Sequence, residues 1–359
     1  MSGGAAGRAS SLIGGMALAA ASVLLCLLAG EAISRLVDPA ASLWRWPSYL
    51  AGESEPAPGT TQFAYDATLG WAPIAGSAAT VLGKPLSFTA QGTRAQNREG
   101  PVAAGRLILA FGDSMTEGFA VGDDETWPAA LERLTGRAVL NAGVRGYGLD
   151  QMVLRAERLV PELKPSTVIL AFIADDISRT ALAVRDFRGK PYFLPDGEGL
   201  ALHNVPVRDA HFPPLIAAAR DVLGRSHLFD RIVTRLGQRP YWTGREIGTG
   251  ADPFVVSCRL MDRFAALAKR EGAGALVVAL PEQGVFFDAR AAAGQREALM
   301  QILGCAARAG LATLDTTPAF IKADVGRDID AYYTMMHFTG RGADLAAREI
   351  AAALRTVGE

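Results

Sequence analysis

From residue 106 onward the chain alternates short apolar runs with longer stretches in which apolar residues return at helical spacing. The runs at 107–111, 138–141, 167–173, 275–280 and 311–315 predict buried strands, and the stretches at 127–134, 151–163, 256–271, 295–309 and 342–354 predict helices. Such alternation implies an α/β fold, a parallel sheet covered by helices on both faces. The rhythm fails between Asp175 and Pro253, where Pro, Gly and aromatic residues cluster. Long insertions of this kind commonly carry binding surface, so this stretch is the candidate for substrate selectivity. Residues 37–105 are rich in Pro, Gly, Ala and Ser and read as turns and short strands, a connecting segment. Ordered pieces are expected in it at 65–71 and 88–94, packed on the main domain.

At the N-terminus no charge interrupts Ser11 to Gly30, and about 20 apolar residues suffice to cross a bilayer core as a helix. The run is longer than a usual signal-peptide core, which favours an anchor, yet Gly30-Glu31-Ala32 offers the small-x-small spacing that a signal peptidase accepts. Cys26 follows Leu25, not the small residue that lipoprotein processing wants, and Arg8 before the run is balanced by Arg35 and Arg45 after it. The expected organisation is a membrane anchor or signal segment at 1–36, an accessory segment at 37–105, and a main domain at 106–359 with an insertion at about 178–253.

The chain has 359 residues, 50% of them hydrophobic, and a formal net charge of −1. That is enough apolar surface for a large core, and the balanced charge gives no general attraction to nucleic acid. Cys258 and Cys305 lie in helix-like segments where buried free thiols are the commoner outcome, with a bridge as the alternative. His203, His211, His227 and His337 are scattered without metal-ligand spacing, and no cofactor is expected.

Candidate chemistry sits at the strand ends. Gly112-Asp113-Ser114 follows the first strand and precedes a helix, so Ser114 stands where free amides and the helix dipole stabilise an oxyanion. The same residue types also suit an ordinary helix cap. Asn141-Ala142-Gly143 and Asp175-Asp176 end the next strands, and His337 precedes the last helix. A serine hydroxyl needs a neighbouring imidazole to take its proton. Asp113 reads as a turn-fixing residue, and Asp123, Asp124 and Glu125 as acids favouring a helix N-terminus. Arg145 and Tyr147 read as candidate substrate contacts, although a loop arginine is more often solvated, and Tyr241 with Trp242 as a small hydrophobic cluster or a sugar platform.

The order and spacing of these blocks resemble the SGNH, or GDSL-type, hydrolases over residues 106–359, and Asp66-x-x-Leu69-Gly70-Trp71 with Gly92-x-Arg94 resembles the lead-in of membrane-anchored bacterial members. The resemblance implies a flavodoxin-like αβα sandwich with Ser114 as nucleophile and His337 as general base. It also implies an oxyanion hole from the amides of Ser114 and Gly143, with Asp175 where the family has a donating Asn. The implied activity is hydrolysis of acyl esters, acetyl among them, from a small ester or an acylated polysaccharide, on the extracytoplasmic (periplasmic) side of a membrane. A degraded polysaccharide-binding or assembly protein on the same fold, or an O-acyltransferase, stays open.

Two departures bear on that expectation. Asp175 replaces the Asn, and an ionised carboxylate there repels an oxyanion unless it is protonated or faces elsewhere. The positions where the family carries the acid that orients histidine hold Thr334 and Met335, leaving Asp330, Asp328 or Asp315, or a backbone carbonyl, to hold the ring.

Overall fold

The computed structural model describes residues 3–39, 41–50, 62–96, 107–208 and 214–357, so the expected boundary at 105/106 and His211 lie outside the described residues. Contacts divide the chain into two compact units, residues 56–210 with 246–359 and residues 1–55 with 211–245.

The larger unit is built on a five-stranded sheet in the order Ala312–Asp315, Gly274–Ala279, Thr167–Phe172, Ile108–Phe111, Val139–Asn141. Every neighbouring pair is parallel. Numbered along the chain, the strands lie 2-1-3-4-5, the flavodoxin-like arrangement. Side chains alternate between two cores, as strand geometry demands. Leu109, Phe111, Val168, Leu170, Phe172 and Val277 face one core, shared with helices Leu149–Leu163, Pro253–Glu271 and Ala289–Arg308. Ile108, Ala110, Ile169, Ala171, Leu276 and Val278 face the other, shared with helices Trp127–Thr135 and Gly340–Val357. Because both faces are covered, Thr167–Phe172 is buried along its whole length, which is why it reads as a continuous apolar run.

Helices begin earlier than apolar periodicity suggests because capping residues start them. Asp252 accepts from the amides of Phe254 and Val255 ahead of Pro253, and Asp288 does the same for Arg290 and Ala291. The expectation of free thiols is corrected: Cys258 and Cys305 form a disulfide with Cα atoms 5.2 Å apart, tying the Pro253–Glu271 helix to Ala289–Arg308. Periodicity within one helix shows that a cysteine points inward, but not that the neighbouring helix turns its own cysteine toward it.

Residues 62–96 form antiparallel hairpins, Phe63–Asp66 with Gly70–Pro73 and Ala78–Val81 with Lys84–Ser87. They are more than a connector, since Leu69, Trp71, Leu86 and Phe88 are buried in the first core. Gly70, at φ +84°, meets the chain where a Cβ would stand 2.6 Å from the Gly189 carbonyl oxygen. Two further pairings, Leu182–Arg185 with Glu246–Gly248 and Tyr192–Asp196 with Gly199–His203, follow the third sheet strand.

The smaller unit contains the N-terminal helix Gly3–Val37 and the helices Pro214–Leu223, His227–Arg235 and Arg239–Thr243. These last helices escaped the sequence pattern because Gly224, Gly237 and Gly244 cut them short. Trp242 packs edge-on against Phe229 at 4.7 Å, while Tyr241 is exposed, so the hydrophobic cluster includes only one of the two. Within the N-terminal helix, Gly14–Val37 has a mean hydropathy of 2.1 and is long and apolar enough to cross a membrane.

Just before the last helix, Tyr333–Thr334 pairs with His337–Phe338 through a two-residue turn in which Met335 and Met336 both have positive φ, 48° and 65°. Such turns favour Asn-Gly, so two methionines there store strain. Met336→Gly is expected to raise unfolding stability by about 1 kcal/mol, read from denaturant midpoints, and a loss of stability would contradict the strain. Replacing Cys258 and Cys305 together by serine is expected to cost about 2–4 kcal/mol, and dithiothreitol should lower the melting temperature of the parent but not of that variant.

Candidate active site

The first sheet strand ends at Phe111, and Gly112 makes the turn that follows possible. A Cβ there would lie 2.0 Å from Thr116 Oγ1 and 2.7 Å from the Ala171 carbonyl oxygen. Asp113 Oδ1 then accepts from the Met115 amide at 2.9 Å, starting the short helix Ser114–Glu117. Ser114 therefore sits at the carboxyl edge of the sheet beside the switch between the first and third strands, where ligands bind in such sheets.

His337 Nε2 lies 2.8 Å from Ser114 Oγ, joining residues 223 positions apart. Its Nδ1 lies 2.7 Å from the Met335 carbonyl oxygen. A carbonyl only accepts, so Nδ1 carries the hydrogen and Nε2 offers its lone pair to the serine hydroxyl. The ring packs against Phe119 with centroids 5.1 Å apart. None of the acids considered for this task holds the ring. Asp315 accepts from the Thr317 amide at 2.9 Å, and Asp328 and Asp330 are exposed. The tight turn at Met335 and Met336 returns the main chain to the ring, and its carbonyl takes the place of an acid.

The expected donor Gly143 is placed differently. Its amide donates to Asn141 Oδ1 at 3.0 Å, while Asn141 Nδ2 donates to the Thr116 carbonyl at 2.7 Å. Gly143 instead allows close approach, since a Cβ would stand 2.4 Å from the Glu117 nitrogen. Along the same loop, the Val144 amide donates to the Gly112 carbonyl at 3.0 Å, and that of Arg145 to Glu117 Oε2 at 2.9 Å. Gly146, at φ +78°, has an amide without an acceptor among the described residues, as does Ser114.

Asp175 faces Arg179, which donates from Nη2 at 2.6 Å and Nε at 3.0 Å, with Arg185 at 3.8 Å. Burial pushes its pKa up, but the Arg179 and Arg185 charges outweigh this and hold the carboxyl below its ordinary value. An ionised Asp175 has no hydrogen to donate to an oxyanion. Its neighbour Asp176 is fully buried, bonded to Arg179 Nη1 at 2.5 Å and accepting from the Ile173 amide at 2.9 Å. Burial, with the Asp113 charge adding, pushes Asp176 well above the usual carboxylate range. Glu282, past the fourth sheet strand, is pushed up to about 7, first by burial and then by the charges of Asp175 and Asp113. Arg179 is the cation among these acids, 3.6 Å from Asp113 Oδ2 and donating to the Tyr147 carbonyl at 2.9 Å.

Other residues support the site in roles that the sequence did not indicate. Arg94, 1% exposed, donates to the carbonyls of Glu117 at 2.9 Å, Gly118 at 3.0 Å and Val121 at 2.9 Å. It satisfies carbonyls that a four-residue helix leaves open, and Asp123 at 2.6 Å balances its charge. Only the Gly92-x-Arg94 lead-in signalled it. Arg145, expected against substrate or in solvent, pairs with buried Glu117 at 2.6 Å and lies over Phe119 at 4.7 Å. Tyr147, considered as a substrate contact, is fully buried and donates to the Trp71 carbonyl. Among the described residues no group of His, Cys, Asp and Glu has the geometry of a metal site.

The sequence model of the GDSL-like Lipase/Acylhydrolase family matches residues 110–345. Comparison with curated proteins finds no match. Among solved structures, a lipolytic protein of the G-D-S-L family from Veillonella parvula is similar at 15% identity and a TM-score of 0.41, over 70% of this chain and 98% of that one. An acetyl xylan esterase from Geobacillus stearothermophilus is similar at 13% identity and a TM-score of 0.42, over 70% and 96%. An alpha/beta hydrolase from the metagenome of Lake Arreo, Spain, is similar at 15% identity and a TM-score of 0.43, over 72% and 98%. With its matched region running from the strand before Ser114 into the helix after His337, the chain belongs to the GDSL-like lipase/acylhydrolase family.

Proposed function

We propose that the protein is a serine ester hydrolase that removes acyl groups, acetyl among them, from carbohydrate, through an acyl-enzyme on Ser114. The observation that carries this is the 2.8 Å contact between His337 Nε2 and Ser114 Oγ, with the ring's other nitrogen already committed to a main-chain carbonyl. His337 takes the serine proton as Oγ attacks the ester carbonyl, then gives it to the leaving alcohol. Water resolves the acyl-enzyme by the same route in reverse.

The tetrahedral oxyanion is held by the Ser114 amide at the N-terminus of its helix and by the Gly146 amide, which takes the place expected of Gly143. Asp175 donates nothing, and its pairing with Arg179 offsets the charge that would oppose the oxyanion. The carbohydrate class rests on the family resemblance. The disulfide supports an oxidising compartment, and the apolar N-terminal helix supports a membrane-anchored, extracytoplasmic enzyme. Small esters and acylated polysaccharide are the expected partners, and nucleic acid is not.

Hydrolysis of a chromogenic acetyl ester should fall at least about a thousandfold in Ser114→Ala and in His337→Ala. In Asp315→Asn, Asp328→Asn and Asp330→Asn it should stay within about twofold, since the Met335 carbonyl holds the ring. Absence of turnover, with no labelling of Ser114 by a serine-directed phosphonate, would leave a binding protein on this fold. Acyl appearing on an acceptor sugar faster than on water would make it a transferase.

The acid cluster also sets a pH dependence. Glu282 holds its proton up to about 7 in the folded protein, against 4.5 ordinarily, so between these values the folded state binds more protons than the unfolded one. Stability therefore falls as pH rises through that window. The urea midpoint is expected to be lower at about pH 8 than at about pH 5, and Glu282→Gln should flatten the difference, with Asp176 supplying the remainder. A parent midpoint that rises with pH, unchanged by the substitution, would contradict the cluster.

A further inference from the structure

The N-terminal helix does not end freely. Glu31 on that helix accepts from the amides of His227 at 2.8 Å and Leu228 at 3.0 Å and from Ser226 Oγ at 2.7 Å, so it caps the helix His227–Arg235. One turn on, Arg35 pairs with Glu31 at 2.6 Å and donates to the carbonyls of Ser42 at 2.8 Å, Arg45 at 2.7 Å and Arg225 at 2.9 Å. Both side chains are buried, 6% and 2% exposed. Cleavage after Ala32, the position that Gly30-Glu31-Ala32 offers a signal peptidase, would remove Glu31 and strand the buried donors that face it. The network is built for a helix that stays.

Arg35 also fixes what lies beside the helix. Its bonds to Ser42 and Arg45 clamp the loop between them, and its guanidinium lies 4.0 Å over the Trp46 ring. Trp44, within that loop, is 90% exposed. The helix below is exposed and apolar at Met16, Leu18, Val23, Leu24, Leu25, Leu27 and Leu28, and the exposed apolar side chains continue at Ile33, Leu36 and Val37. The uncharged run Ser11 to Gly30 is about one hydrocarbon core long, and at 1.5 Å per residue Arg35 lies about 7.5 Å beyond Gly30, within a headgroup layer about 5–8 Å deep. A loop tied to Arg35 thus leaves the helix at headgroup depth, where indole rings partition and arginines meet lipid phosphate.

We propose that the loop 42–46 is a membrane-interface seat, with Trp44 and Trp46 lodged in the headgroup layer of a phospholipid bilayer crossed by the retained N-terminal helix. This rests on the membrane-anchored reading above. The occupant follows from continuity, because the loop is bonded to the end of the same helix whose exposed apolar side chains face outward.

The test uses the full chain in phosphatidylcholine vesicles whose acyl chains carry bromine near the headgroup, a short-range quencher of tryptophan emission. In a Trp242→Phe background quenching is expected and should be largely lost on adding Trp44→Phe and Trp46→Phe, since the remaining Trp71 and Trp127 are buried at 4% and 0% exposure. Equal quenching in that background and in the triple variant, both floating with the vesicles, would overturn the seat while leaving the anchor standing. A mature chain whose intact mass begins after Ala32, and which does not float, would overturn the anchor and the seat together.

Discussion

Two places without room for a Cβ hold the candidate site together. At Gly112 the chain passes Thr116 and the Ala171 carbonyl, and at Gly143 a neighbouring loop presses on the Glu117 nitrogen. These approaches bring the loops after the first and second sheet strands into direct backbone contact, with the short serine helix between them. The Gly112 carbonyl accepts from Val144, and Asn141 spans from the Gly143 amide to the Thr116 carbonyl. Ser114 is thus fixed by main-chain packing together with the side chains of Asp113, Thr116 and Asn141.

Charge is organised around the same point. Asp113, Asp175, Asp176 and Glu282 are a dense set of acids for a partly buried edge, and Arg179 lies within 4 Å of the first three. Burial pushes the pKa values of Asp176 and Glu282 up, which eases the remaining repulsion. Arg94 and Arg145 do similar work on the other side, binding helix-end carbonyls and the buried Glu117. The serine is flanked by arginines whose donors are turned on the protein, a framework that leaves its own amide open.

Much of this was legible in the chain. Apolar runs located the sheet strands to within a residue or so, and Gly112-Asp113-Ser114 with His337 pointed to the pair the fold brings together. What escaped depended on direction more than on position. The amide at Gly143 turns onto Asn141, Asp175 turns onto Arg179, and Cys258 meets Cys305 because two helices share one sheet face. Residue type and spacing do not encode such orientations. The helices in 214–243 escaped for another reason, being segments of 10, 9 and 5 residues bounded by Gly, too short for their periodicity to register.

The hydrogen bond from His337 to the Met335 carbonyl has a genetic corollary. Where a carboxylate orients the ring, one codon change deletes the orienting group, but every amino acid brings the same carbonyl oxygen. Control of the imidazole tautomer is therefore insulated from substitution at the residue that provides it, and becomes a property of the bend itself. Only changes that alter the course of the backbone, such as an inserted or deleted residue, could take it away.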